Sequence, residues 1–117
     1  ILDTIDTSNL LENFYRTCNG LPLLDIKQKE TYSVTLGLVN KNYVTDLRID
    51  SVEPNLPELP DDLRISKQSR ILVNHNSYGF ITATGENREV ASKKIYDYLN
   101  GVETNDYTYR TDIGFLE

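Results

Sequence analysis

The chain has no methionine and no tryptophan, one cysteine (Cys18) and one histidine (His75). A single thiol rules out any disulfide within the chain, and one thiol with one imidazole cannot form a Cys/His metal cluster. Positive charge is also scarce: twelve Lys and Arg against eighteen Asp and Glu leave a net charge of −6. A protein whose main partner is a phosphate backbone needs a basic face, so no nucleic-acid partner is expected. A local basic spot for one small anion stays compatible with this balance, because net charge governs non-specific attraction rather than a single pocket. The six glycines are scattered, and neither the phosphate-binding P-loop nor the dinucleotide glycine pattern occurs. The N-terminus lacks the charged, apolar and small-residue parts of a signal peptide. A reducing, cytoplasmic setting is expected, with no membrane partner. The opening on Ile1-Leu2 with no methionine anywhere suggests a piece of a longer chain.

What is present describes one globular unit. The 117 residues, 38% hydrophobic and 26% charged, can bury a core without staples. Residues 7–20 start on the cap-competent Thr7-Ser8-Asn9, carry Leu10, Leu11, Phe14 and Cys18 at helical spacing, and stop at Asn19-Gly20. This pattern predicts a helix with one apolar face turned inward and Cys18 as a small buried hydrophobe. Thr31 to Val39 alternates, with Tyr32, Val34, Leu36 and Leu38 on one side, which predicts a half-buried strand. A short strand near Leu47 to Val52 leads into an extended loop where Pro54, Pro57 and Pro60 recur three apart. That spacing reads as a stiff surface connection rather than a polyproline ligand. Arg70 to Thr84 carries Ile71, Val73, Phe80 and Ile81 around a polar centre, predicting a hairpin or a long strand with a bend. Glu86 to Asn100 predicts a second helix with Val90, Ala91, Ile95, Tyr98 and Leu99 inward and Gly101 as its stop.

The reactive side chains form no complete catalytic set. His75 lies among Asn74, Asn76 and Ser77, but consecutive strand residues alternate faces and cannot line up as a relay, whereas turns use Asn and Ser routinely. Asp61-Asp62 lacks the spaced oxygens and glycine of a calcium loop and reads as a solvated turn. A lipoyl- or biotinyl-type carrier would expose a lysine at the hairpin tip, and Asn74 to Ser77 has none. Arg110 and Asp112 stand two apart and share a face of an extended segment. Such a pair suits an anionic or polyhydroxylated ligand, or forms a structural ion pair.

Several segments, in order, are similar to one family. Arg70-Ile71-Leu72-Val73-Asn74-His75-Asn76-Ser77-Tyr78-Gly79-Phe80-Ile81-Thr82-Ala83-Thr84-Gly85 resembles, without a gap, the K-L-V-T-S-G-G-R-V-L-G-V-T-A-L-G stretch of glycinamide ribonucleotide synthetases (phosphoribosylamine–glycine ligases) of the ATP-grasp superfamily. The helix ending Ile95-Tyr96-Asp97-Tyr98 follows, as the family's A-x-x-x-A-Y helix does. Tyr109-Arg110-Thr111-Asp112-Ile113-Gly114 resembles the closing Y-R-x-D-I-G, and Ser8-Asn9-Leu10-Leu11-Glu12 is similar to S-D-L-L-E. Tyr32 to Tyr43 resembles the strand leading to the family's G-Y-P, with Asn42-Tyr43-Val44 in that place.

The resemblance implies an α+β, mainly β fold. This would be a small barrel-sandwich-hybrid-like (rudiment single hybrid) C-terminal domain, residues 1–117, with an N-terminal helix and a second helix after the long strand region. It implies that the complete enzyme joins glycine to 5-phosphoribosylamine in purine biosynthesis, using ATP and magnesium or manganese through a glycyl phosphate. The family's E-x-N-x-R-x-G-D-P-E-type metal segment and its nucleotide-gripping lobes would lie upstream of Ile1. The chain alone would then bind no cofactor and be inactive, its partners being those ATP-grasp domains and a small amine substrate. The residues implied for substrate binding are His75, Asn76, Ser77, Arg110 and Asp112. His75-Asn76-Ser77 stands where the family has Gly-Gly-Arg, and loss of a buried guanidinium–phosphate bond is worth about 1.5–3 kcal/mol.

Overall fold

The computed structural model describes residues 4–42, 52–67 and 77–115. Within them the chain runs α1 (Leu10–Cys18), β1 (Tyr32–Asn40), β2 (Leu63–Lys67), β3 (Ser77–Gly85), α2 (Arg88–Asn100) and β4 (Tyr107–Thr108). The strands form one four-stranded sheet in the order β2-β3-β1-β4, and every pairing is antiparallel. The result is a small α+β domain.

Alternation along β1 sends Val34, Leu36 and Leu38 to one face, where they are buried with Ile81 and Ala83 of β3 and Leu63 of β2. The helix α2 closes that face with Ala91, Ile95 and Leu99. Burial of a side chain as large as Ile95 or Leu99 contributes about 1.5–3 kcal/mol relative to exposure. The Asn87 side chain caps α2 by accepting from the Val90 N–H at 2.8 Å, and Gly101 ends it as expected from the sequence. Lys94 ties the helix to the sheet, donating to the Thr84 carbonyl at 2.8 Å and pairing with Asp62 at 3.1 Å. Asp61 and Asp62 lie in an exposed turn, as the sequence suggested, and Asp62 in addition pairs with Lys94.

The proline-rich connection wraps the C-terminal end of α2. The Tyr98 hydroxyl donates to the Pro57 carbonyl at 2.7 Å, and Asn55 bridges to Glu103. Among the described residues no polyproline ligand geometry is needed to account for this loop, since Pro54 is buried and Leu56 and Leu59 pack on the core.

Two expectations need correction. The stripe Leu11, Phe14 and Cys18 was expected to face inward. Instead Leu11 is 81% exposed, Phe14 60% exposed, and Cys18 is an exposed free thiol. The reason is that α1 packs through its polar side. Asn13 is its one buried residue. Its amide donates to the Leu24 carbonyl at 2.9 Å while its oxygen accepts from the Leu24 N–H at 2.8 Å. Arg16 reaches the Pro22 carbonyl at 2.9 Å, so the helix and the following loop brace each other. Tyr32, expected on the inward side of β1, is half exposed at the end of the strand.

β2 supplies the first arm of the hairpin, upstream of the segment the sequence suggested, and pairs with β3 from Leu63↔Ala83 to Lys67↔Gly79. Ile71 and Val73 lie outside the described residues, as does the strand expected near Leu47 apart from Val52.

The packing makes a direct contrast. Leu38→Ala should cost about 2–5 kcal/mol by leaving a cavity, whereas Phe14→Ser on the exposed side of α1 should change stability by no more than about 0.5 kcal/mol. Urea unfolding of the two variants beside the parent chain measures both values.

Candidate functional site

Of the five residues implied for substrate binding, Ser77, Arg110 and Asp112 lie within the described residues; His75 and Asn76 lie outside them. Ser77 opens β3 opposite Val39, after a β-bulge where Leu38 pairs with Gly79 and Val39 with Ser77. The extra residue, Tyr78, is thereby turned into the core, where its ring meets Tyr107 edge-on at 5.6 Å. Gly79 sits against the Ser66 carbonyl, so a Cβ there would collide with backbone. The Ser77 hydroxyl donates to the Leu38 carbonyl at 3.4 Å.

Arg110 and Asp112 are placed by the other end of the chain. β4 pairs with only Val39 and Asn40, and the segment then leaves the sheet and runs along α2. The Tyr96 hydroxyl pins it, donating to the Arg110 carbonyl at 3.0 Å and accepting from the Ile113 N–H at 3.0 Å. Gly114, with φ of 86°, lies so close over Ser92 that a Cβ would overlap the Ser92 hydroxyl. Only glycine takes both that backbone conformation and that contact. The Ser92 hydroxyl is fully buried and makes no hydrogen bond, a cost accepted where the tail seats. The Tyr96 ring is stacked with Phe115 at 5.6 Å and 25° and lies 6.2 Å from Tyr109.

In this turn Arg110 grips Asp112 through both arms of its fork: Nε to Oδ1 at 2.9 Å and Nη2 to Oδ2 at 2.5 Å. The guanidinium holds the Asp112 carboxyl below the ordinary carboxylate range, and the same bond raises Arg110. Burial pushes the Tyr96 hydroxyl up, the Asp112 charge adds to that rise, and the Ile113 backbone bond opposes it. The structure thus brings Arg110 and Asp112 together. It does not join Ser77 to them, because β1 stands between: Val39 pairs with Ser77 on one side and with Thr108 on the other. At about 4.8 Å per strand, Ser77 and Thr108 have backbones about 10 Å apart.

The residues that sequence reasoning passed over are Tyr96, Ser92 and Phe115. Tyr96 appeared only as part of a matched helix, and no local signal links it to carbonyls 14 and 17 residues away. Among the described residues no group of three or more His, Cys, Asp or Glu could hold a metal ion, and no helix is long and apolar enough to cross a membrane. No protein-family model matches the chain, and no curated protein matches it.

The Asp112 shift has a signed consequence. Its folded pKa is depressed, so the pair's contribution is present above the unfolded value of about 3.9 and is lost as pH falls through the folded value. Carbon-detected NMR titration should give Asp112 a midpoint below the ordinary aspartate range, and Arg110→Ala should return it to that range. Tyr96→Phe leaves the Arg110 carbonyl and Ile113 N–H without their partner and should destabilise the tail by about 1 kcal/mol. Faster amide hydrogen exchange at Ile113, with unchanged exchange in β1, is the expected reading.

Proposed function

We propose that the chain is the substrate-side C-terminal domain of an ATP-dependent carboxylate–amine ligase resembling phosphoribosylamine–glycine ligase. The carrying observation is the tail Tyr109-Arg110-Thr111-Asp112-Ile113-Gly114, which resembles the family's closing motif and four of whose residues have distinct physical roles. Arg110 and Asp112 form an exposed pair available to a ligand, Ile113 packs on the core, and Gly114 fills a seat that admits no side chain. A small α+β domain with one sheet and two helices is compatible with the barrel-sandwich-hybrid architecture of that family.

In this reading ATP, the divalent cation and the cytoplasmic setting belong to the longer protein, whose upstream ATP-grasp body is the partner of this domain. Its own part is to bind and orient the amine substrate. Arg110 and Asp112 offer donors and acceptors from a turn fixed by Tyr96, and preorganisation of that kind lowers the entropy cost of binding.

The departure at His75-Asn76-Ser77 favours a second reading, a ligase diverged to another amine or an interaction module that keeps the fold without the chemistry. The test is turnover. Protein carrying this sequence with its upstream domains, mixed with ATP, glycine and phosphoribosylamine, should release ADP and phosphate. Release with a different amine only would keep the ligase class and discard the substrate; no release with any amine would discard both.

A further inference from the structure

Residues 109–115 are held to the rest of the domain chiefly through one side chain. Their ladder with β1 ends at Thr108. Beyond it the Tyr96 hydroxyl donates to the Arg110 carbonyl and accepts from the Ile113 N–H, both at 3.0 Å. The Tyr96 ring meets Tyr109 and Phe115, and Ile113 adds apolar contact with the core. Two further bonds lie within the segment itself: Arg110 to Asp112, and the Phe115 N–H to the Asp112 carbonyl at 3.3 Å. A segment bonded to itself and tied to its support through one residue can open as a unit while the core stays folded.

The support carries an opposing cost. Ser92 lies one turn before Tyr96 on α2; its side chain is fully buried, and its hydroxyl makes no hydrogen bond among the described residues. Gly114 covers it so closely that a Cβ there would overlap the hydroxyl. A glycine Cα offers neither a strong donor nor an acceptor. Lifting the segment gives that hydroxyl to water, where it regains the bonds it lacks when covered. Seating therefore gains the Tyr96 bonds and the aromatic contacts and loses the hydration of Ser92, opposed effects of similar size. Opposed effects that nearly cancel are the condition for two populated states.

We propose that residues 109–115 form a strap with two states, seated on α2 and lifted from it, and that the buried Ser92 hydroxyl sets the balance between them. Tyr96 is the positioning residue of the seated state. The Arg110–Asp112 turn is fixed only when the strap is seated, so a ligand that needs that turn binds with an affinity scaled by the seated fraction. This regulatory consequence rests on the tail being a ligand site; the two states do not.

Native-state amide hydrogen exchange of the isotope-labelled chain, followed through a series of low urea concentrations, reads the balance without any ligand. In the parent chain the Ile113 amide should exchange faster than those of Ile95 and Leu99 in α2. It should also depend little on urea, because lifting a short strap exposes little surface. Ser92→Ala removes the unpaired hydroxyl and should slow Ile113 about tenfold relative to Ile95 and Leu99. Gly114→Ala sets a methyl against Ser92 and should speed Ile113 while the two helix amides keep their rates. Three results would each overturn the inference: Ile113 exchanging together with Ile95 and Leu99 at every urea concentration, Ser92→Ala leaving Ile113 unchanged or faster relative to them, or Gly114→Ala leaving Ile113 unmoved. The ligase reading fails separately. The expected exchange pattern without turnover in the longer protein discards the ligase and keeps the strap, and turnover with Ile113 locked to the core does the reverse.

Discussion

The seam between α2 and the sheet is the contact on which the other features depend. Ala91, Ile95 and Leu99 press on the face made by Val34, Leu36, Leu38, Ile81 and Ala83, and this packing fixes the rotation of the helix about its axis. Once that rotation is fixed, Ser92 is buried beneath Gly114 and Tyr96 faces the tail. The tail therefore takes its position from a helix whose own orientation is set by apolar burial. The same seam aligns Lys94 with Asp62 and the Thr84 carbonyl, so the edge strand β2 is held by a charge as well as by its ladder.

Order at the candidate site is built from backbone bonds rather than from burial. Arg110 and Asp112 are well exposed, with side-chain accessibilities of 68% and 49%, and an exposed ion pair by itself adds little to stability. Their geometry persists because the carbonyl of one residue and the amide next to the other are both held by a single tyrosine hydroxyl. The cost is a guanidinium whose Nε and Nη2 are already partnered by Asp112.

The N-terminal segment illustrates the limit of periodicity. Leu11, Phe14 and Cys18 have the spacing of a buried stripe, yet α1 turns them outward because Asn13 makes a two-way bond with Leu24 and Arg16 reaches Pro22. Helical spacing identifies which residues share a face. It does not say what that face meets. The strand β1 was legible for the opposite reason: strict alternation places Val34, Leu36 and Leu38 on one side, and a sheet with one covered face leaves only one side for them. The arm β2 was missed because five residues carrying Arg64 and Lys67 have little apolar signal, and their strand character comes from pairing with β3.

By itself the sequence determined the two helices, the strand β1, the stop of α2, and the two-residue spacing that lets Arg110 and Asp112 share a face. These are local properties, set by periodicity of 3.6 or 2 and by the conformational preferences of Asn and Gly. Tertiary structure alone decided that α1 packs by its polar side, that β1 separates Ser77 from the tail, and that Tyr96 and Ser92 seat the Arg110 turn. Each of these depends on contacts between residues far apart in the chain, where the energy of one hydrogen bond or one filled seat selects among arrangements that local propensity leaves equal.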